Sequence, residues 1–311
     1  MRASTNKGLL FAVLAAACWS PRFFVVSRFV REGTSAPVLQ FYAVFCAALV
    51  SLLVLFLAGR TRELSVFRRR VPGLVGLGLA AGLGIWLLEA LAIERGAKYL
   101  SYVHMALFVG PLLLGLFSLF SREPADGGQM VGLLQGFLGC VLLTLVGTAR
   151  LGQLSSSPSF RVVVIALFSA VFWAAFSIKA RDMLREEKVL PLLTALLAVA
   201  APCLLVTCLL LGGDVLSITW PALRDSMLLG AFSIALATGC WLKCLSVTRL
   251  AAAAPVWYLA VIFGVLWARW TNELSLNWWT IGGVALILLG MRGVASRSRR
   301  AELSVSDIIR G

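Results

Sequence analysis

Apolar stretches follow one another along this 311-residue chain almost without pause. Each is continuous rather than alternating, and short polar clusters of arginine, glycine or proline separate them. A helix rises about 1.5 Å per residue, so roughly twenty apolar residues match a hydrocarbon core about 30 Å thick. The pattern predicts ten membrane-spanning helices, at 8–30, 37–59, 71–94, 100–120, 130–148, 161–180, 190–211, 225–245, 250–270 and 277–294. Strands of an outer-membrane barrel would instead alternate apolar and polar over about ten residues. The connections are too short for a soluble domain, and the predicted class is an all-α polytopic membrane protein.

Composition agrees. Hydrophobic residues make up 60% of the chain and charged residues 14%, against about a quarter charged in a soluble globule. The formal net charge is +14. In a soluble protein that balance points to nucleic acid. In a polytopic chain the basic residues gather in cytoplasmic loops and meet anionic headgroups, so lipids are the expected partner and nucleic acid is excluded. With the N-terminus in the cytoplasm, 18 of the 28 Lys and Arg fall on that side and seven outside, and Arg22, Arg28 and Lys243 lie within the runs. The expectation is a bacterial inner-membrane protein with both termini cytoplasmic. The first run is too long for a signal peptide and no A-x-A site follows it, so it reads as a retained span. The seven cysteines all lie in apolar runs, without a loop CxxC, and read as packing residues.

The two halves resemble each other. LSYVHMALFVGPLLLGLFSLFSREPADGGQMVG from Leu100 aligns with LAAAAPVWYLAVIFGVLWARWTNELSLNWWTIGG from Leu250, pairing Glu123 with Glu273 and Gly132 with Gly282. Trp19 in the first span of one half matches Trp173 in the first span of the other. Five spans per half is an odd number, so the second half enters the membrane in the opposite sense. Inverted repeats of this kind favour transport, because two near-equal packings open to opposite sides around a site at their interface. The boundaries read as 1–150 and 151–294 for the repeats and 295–311 for a basic tail.

The chain resembles the EamA-type permeases of the drug/metabolite transporter superfamily. The resemblance rests on Trp19-Ser20, Ala90-Leu91, Pro111, Glu123 and the glycines Gly132, Gly136 and Gly139, with Trp173, Leu245, Glu273 and Gly282-Gly283 in the second half. It implies two five-helix repeats around a central cavity lined mainly by the first, third and fourth helices of each half. Two departures stand out. The family's second-half proline belongs near Val261, whereas Pro255 sits six residues earlier. Pro21-Arg22 stands where the family has a small or polar residue.

Several residues carry candidate chemistry. An unpaired charge at mid-membrane costs about 2.5–3.5 kcal/mol, so Arg22 either faces a cavity or snorkels to the outer headgroups. Beside Trp19 it suits a carboxylate, a phosphate or a flat ring. Pro21 cannot donate to the Ala17 carbonyl, and is a hinge, a substrate contact or a packing kink; Pro111 is the matching hinge candidate. Glu89, with Trp86 one turn before it, is read as a partner of Arg22, a binder of a substrate amine, a proton carrier or an interfacial carboxylate. Lys243 is read as snorkelling unless it faces inward. His104 is the single histidine, either a proton carrier or a hydrogen-bonded structural residue. Trp257 and Tyr258 line a cavity, pack against a neighbouring helix or belong to an aromatic interface belt, and Trp173 mirrors Trp19. The pairs Gly78/Gly82 and Gly132/Gly136 permit close helix contact.

The sequence holds no Walker loop, HExxH or GxSxG elbow, and neither metal nor cofactor is implied. The expected activity is secondary transport of a small polar or amphipathic metabolite, an amino acid or a ring-bearing compound, with a homodimer left open. A membrane enzyme using Glu89 and His104 on a lipid-linked substrate is the alternative, and requires both groups in one cavity. A scaffold or sensor would instead have a packed centre.

Overall fold

The computed structural model describes residues 2–65, 70–96, 100–119, 125–147, 160–270 and 277–310. Glu123 and Glu273 lie outside them. Among the described residues nine helices are long and apolar enough to cross a membrane, and a shorter apolar helix at Tyr102–Ser118 supplies the remaining predicted span.

The helices are α1 (Arg2–Arg31), α2 (Ala36–Leu57), α3 (Val71–Arg95), α4 in two pieces (Leu100–Leu107 and Gly110–Ser118) and α5 (Gly127–Val141, then one π turn Leu142–Gly147). The second half has α6 (Phe160–Met183), α7 (Val189–Leu210), α8 (Trp220–Val247), α9 in three pieces (Leu250–Ala253, Ala254–Tyr258, Leu259–Trp270) and α10 (Trp278–Arg310). The sequence sets many ends. Proline stands in the first turn of α2, α3 and α8, where its missing N–H is no loss. Gly33, Gly59 and Gly212 leave α1, α2 and α7 with positive φ, the left-handed exit that favours glycine. Asp126 and Gln129 form a reciprocal capping box at the start of α5. α10 continues as one helix through the basic stretch to Arg310.

Two irregularities repeat between the halves. α3 carries a π segment at Ala80–Leu87 and α8 one at Gly230–Leu236, 150 residues on. α4 breaks after Leu107, just before Pro111, and α9 tightens to a 3-10 turn around Pro255. Backbone groups at such places need other partners inside a membrane, and serines provide some. Ser169 of α6 donates to the Ile85 carbonyl in the α3 π segment at 3.1 Å. Ser233 of the α8 π segment donates to the Cys18 carbonyl in α1. The Ala17 carbonyl, which Pro21 leaves without its usual donor, accepts from Ser20 Oγ at 2.9 Å. α1 therefore runs unbroken through Pro21.

Glycine seams bring the helices close. α5 and α10 cross backbone to backbone: a Cβ on Gly132 would lie 2.7 Å from the Gly290 carbonyl oxygen, and one on Gly139 2.7 Å from that of Gly283. Gly78 and Gly82 of α3 meet Val199 and Ala200 of α7. The outer faces stay apolar, as with Phe45, Leu49, Leu53 and Phe56 on α2, a surface suited to lipid. Trp220, Trp270, Trp278 and Trp279 are exposed at helix ends that parity places on the face opposite the N-terminus, the position of an aromatic belt. On the N-terminal face the α2–α3 and α6–α7 connections are joined by ion pairs. Glu63 meets Arg60 at 2.7 Å and Lys188 at 2.5 Å. Arg70 meets Glu186, and Glu187 at 3.8 Å.

Candidate functional site

The π segment of α3, the break in α4 and the 3-10 turn of α9 all line a central cavity, with about 600 Å³ of empty space including its open side. α1 contributes Trp19, Arg22 and Phe23, α3 contributes Ile85, Trp86 and Glu89, and the break in α4 contributes Leu107 and Phe108. From the second half come Ser169, Trp173 and Phe176 of α6, Thr238 and Trp241 of α8, and Trp257 of the α9 3-10 turn. Both repeats thus wall the same space.

Polar chemistry concentrates at one point. Arg22 Nη2 lies 2.8 Å from Glu89 Oε2, and the two side chains are only 6% and 7% exposed. Along α1, at about 1.5 Å per residue, Arg22 stands about 14 Å from the Arg31 end. It turns inward and does not snorkel. The contact lacks hydrogen-bond alignment, so Arg22 Nε and Nη2 and Glu89 Oε1 all keep unfilled hydrogen-bonding capacity. Removing one member of a buried pair typically costs about 3–5 kcal/mol, because the other is left uncompensated.

The remaining lining is largely aromatic. The Trp257 ring centroid is 4.1 Å from those of both Trp19 and Trp173. The residue on the irregular turn of α9 is thus held between the two tryptophans that the repeat makes counterparts. Trp241 completes the cluster, 5.2 Å from Trp173 and 6.0 Å from Trp19. Its indole N–H donates to Ser177 Oγ at 3.1 Å, and Ser177 donates to the Trp173 backbone carbonyl at 2.9 Å, which ties the Trp241 ring to the backbone of α6. Gly110, at the α4 break, makes room for Trp173: a Cβ there would lie 3.1 Å from the ring.

The predicted residues divide. Trp19, Arg22, Trp86, Glu89, Trp173 and Trp257 all line the cavity. Tyr258 does not. It is fully buried against Gly136 of α5, and its hydroxyl donates to the Leu133 carbonyl at 3.1 Å. Neighbouring residues stand about 100° apart in an α-helix and about 120° in a 3-10 turn, so when Trp257 faces the cavity Tyr258 turns toward α5. His104 is not among the lining residues. It stands behind Phe23, edge-on at a centroid distance of 4.5 Å, and its Nε2 has no partner among the described residues. Lys243 is exposed. Pro21 and Pro111 do not line the cavity, although Pro111 directly follows the α4 break that does. Trp241 escaped the sequence reading. Its i, i+3 spacing from Thr238 was the available signal, but the segment reads as a plain buried run.

Two repeated bundles of apolar helices around a shared central cavity, with an ion pair at its side, define a membrane transport protein. The chain belongs to the EamA-like transporter family, which matches it twice, at residues 6–145 and 160–296, and it is therefore a membrane transporter of the drug/metabolite type. One solved structure, described as a crystal structure of protein, aligns with a TM-score of 0.81 over 96% of this chain and 99% of its own, at 19% identity. At that identity the likeness speaks for the fold alone. No curated protein matches by sequence.

Proposed function

We propose that this protein is a secondary transporter that carries a small amphipathic metabolite, with a flat or apolar body and a polar head, across the bacterial inner membrane by alternating access, with both termini in the cytoplasm. The observation that carries this reading is the lining of the cavity, which combines tryptophans from both repeats with the Arg22–Glu89 pair. The rings suit an apolar body and the charges a polar head. The enzyme alternative requires Glu89 and His104 in one cavity, and His104 is absent from the lining residues.

Uptake of labelled amino acids and aromatic acids into proteoliposomes tests the proposal. Flux of at least one compound, reduced by Trp257→Ala, is expected. No flux for any of them from a folded sample refutes it. Cysteine-labelling from either side, at positions in the 61–65 turn and near Asp214, tests the orientation.

A further inference from the structure

Three polar atoms at the side of the cavity lack hydrogen-bond partners among the described residues: Arg22 Nε, Arg22 Nη2 and Glu89 Oε1. Both side chains are more than nine-tenths buried and both line the same space. A guanidinium fully engaged with a carboxylate makes two parallel hydrogen bonds. The closest approach of this pair, 2.8 Å, lies off the hydrogen-bond axis, and Arg22 keeps donors for a third group. The tryptophan cluster bounds the same cavity and offers flat apolar faces.

We propose that the site takes an aromatic monocarboxylate, which displaces Glu89 from Arg22, and that Glu89 takes up one proton as the substrate binds. The inference rests on the transport reading above and adds the substrate class and the coupling. Charge balance is the reason. At rest the cavity holds one guanidinium and one carboxylate. A second carboxylate would leave a net negative charge in a low-dielectric space, which such interiors resist strongly. If one proton enters with the substrate, from the same aqueous side, the balance stays neutral. Arg22 remains a cation, the substrate carboxylate becomes its counter-ion, and Glu89 becomes a neutral acid with an O–H to donate. On release, substrate and proton leave together and the Arg22–Glu89 pair forms again. A phosphate dianion would need a second proton acceptor, and the lining supplies no other carboxylate.

Other titratable groups on the packed elements are engaged elsewhere or stand apart. Tyr42 of α2 donates to the Val215 carbonyl, Glu94 of α3 accepts from the Ala36 N–H, and Arg181 of α6 donates to carbonyls at Leu245 and Thr248. Cys18 of α1 and Lys243 of α8 do not line the cavity. Among the described residues His104 of α4, behind Phe23, is the rival proton acceptor, and a His104 variant is therefore included below.

Purified full-length protein in detergent is titrated with phenylacetate and with its neutral isostere phenylacetamide across about pH 5 to 8. Tryptophan fluorescence follows binding, and an indicator dye in weak buffer follows protons. Phenylacetate is expected to bind with about one proton taken up, its affinity falling up to about tenfold per pH unit on the alkaline side. Phenylacetamide is expected to bind more weakly and without proton uptake. Glu89→Gln fixes the neutral form: binding stays, and proton uptake and pH dependence vanish. His104→Gln leaves both unchanged. Arg22→Met alone strands a buried carboxylate and is liable to misfold, so Arg22→Met is combined with Glu89→Leu; the folded double variant is expected to bind phenylacetate at least about tenfold more weakly. Three results overturn the proposal: no phenylacetate binding by folded wild type, binding without proton uptake, or uptake that persists in Glu89→Gln. Proton-linked binding without any flux in proteoliposomes would instead refute the transport reading and leave this site standing.

Discussion

Replacing Gly290 by alanine adds a single methyl group to α10, and its surroundings set the consequence. A Cβ at Gly290 would lie 2.5 Å from the Gly132 carbonyl oxygen, 2.7 Å from the Gly136 nitrogen and 3.1 Å from the Gly136 Cα. All three are backbone atoms, so no side chain can rotate away. Ordinary contact begins near 3.4 Å, so α5 and α10 must part by about 0.9 Å at this point. Because dispersion falls steeply, a gap of about 0.5–1 Å forfeits a quarter to a half of each contact energy along the seam. Overpacking of this kind costs about 1–3 kcal/mol, and a rigid backbone neighbour argues for the upper end. Gly293 lies three residues further along the same helix, and a Cβ there meets nothing within 4 Å; Gly293→Ala should be neutral or raise stability by about 0.5–1 kcal/mol through helix propensity. Thermal unfolding can be followed with a thiol-reactive fluorophore, because Cys140, Cys208 and Cys244 are buried until the bundle opens. At about 2–4 °C per kcal/mol, Gly290→Ala should melt roughly 5–10 °C below wild type and Gly293→Ala at or slightly above it. Equal melting of the two variants would refute the account of the seam.

Other substitutions separate packing from the site. Tyr258→Phe removes the hydrogen bond to the Leu133 carbonyl and should cost about 1 kcal/mol in thermal unfolding, with ligand binding unchanged because the ring faces Gly136. Gly33 has φ +90° and open space around it, so Gly33→Ala should cost about 1–2 kcal/mol from backbone conformation alone, and less as asparagine. Hydrogen bonds from Arg60 and Lys188 hold the Glu63 carboxyl below its ordinary value of 4.5. A lowered pKa stabilises the fold above the unfolded value and ceases to as pH falls through the folded one. The small melting difference between wild type and Glu63→Gln should therefore be present at neutral pH and vanish in acid; a difference that persists at low pH would contradict it.

How much of this was legible in the sequence depended on range. The spans follow from runs of apolar residues, a local property, and the repeat follows from landmarks such as Trp19 and Trp173. Arg22 and Glu89 stood out because charge is rare in such runs, and their pairing was one of the readings the sequence left open. The π segments of α3 and α8 have no comparable signal, because a π turn and an α turn admit the same apolar residues. The separation of Trp257 from Tyr258 was hidden for a related reason: the i, i+3, i+4, i+7 pattern groups both on one broad face, and only the packing of Tyr258 against Gly136 of α5 shows which of the two meets the cavity. Trp241 lay in an unremarkable run, and its place in the cluster depends on a contact with Trp173 that is distant in sequence.

The π segment of α3 has a mechanical consequence. It ends at Leu87, two residues before Glu89. A π turn holds roughly one residue more than an α turn, which at 3.6 residues per turn amounts to about 100° of stored rotation. If that extra residue moved along the helix past Glu89, the carboxylate would swing off Arg22 while α3 stayed a continuous rod. The matching segment in α8 carries the same reserve for the other half. A bundle of stiff helices built this way could re-aim its central charge by twisting one strut, with no lid to open and no helix to break.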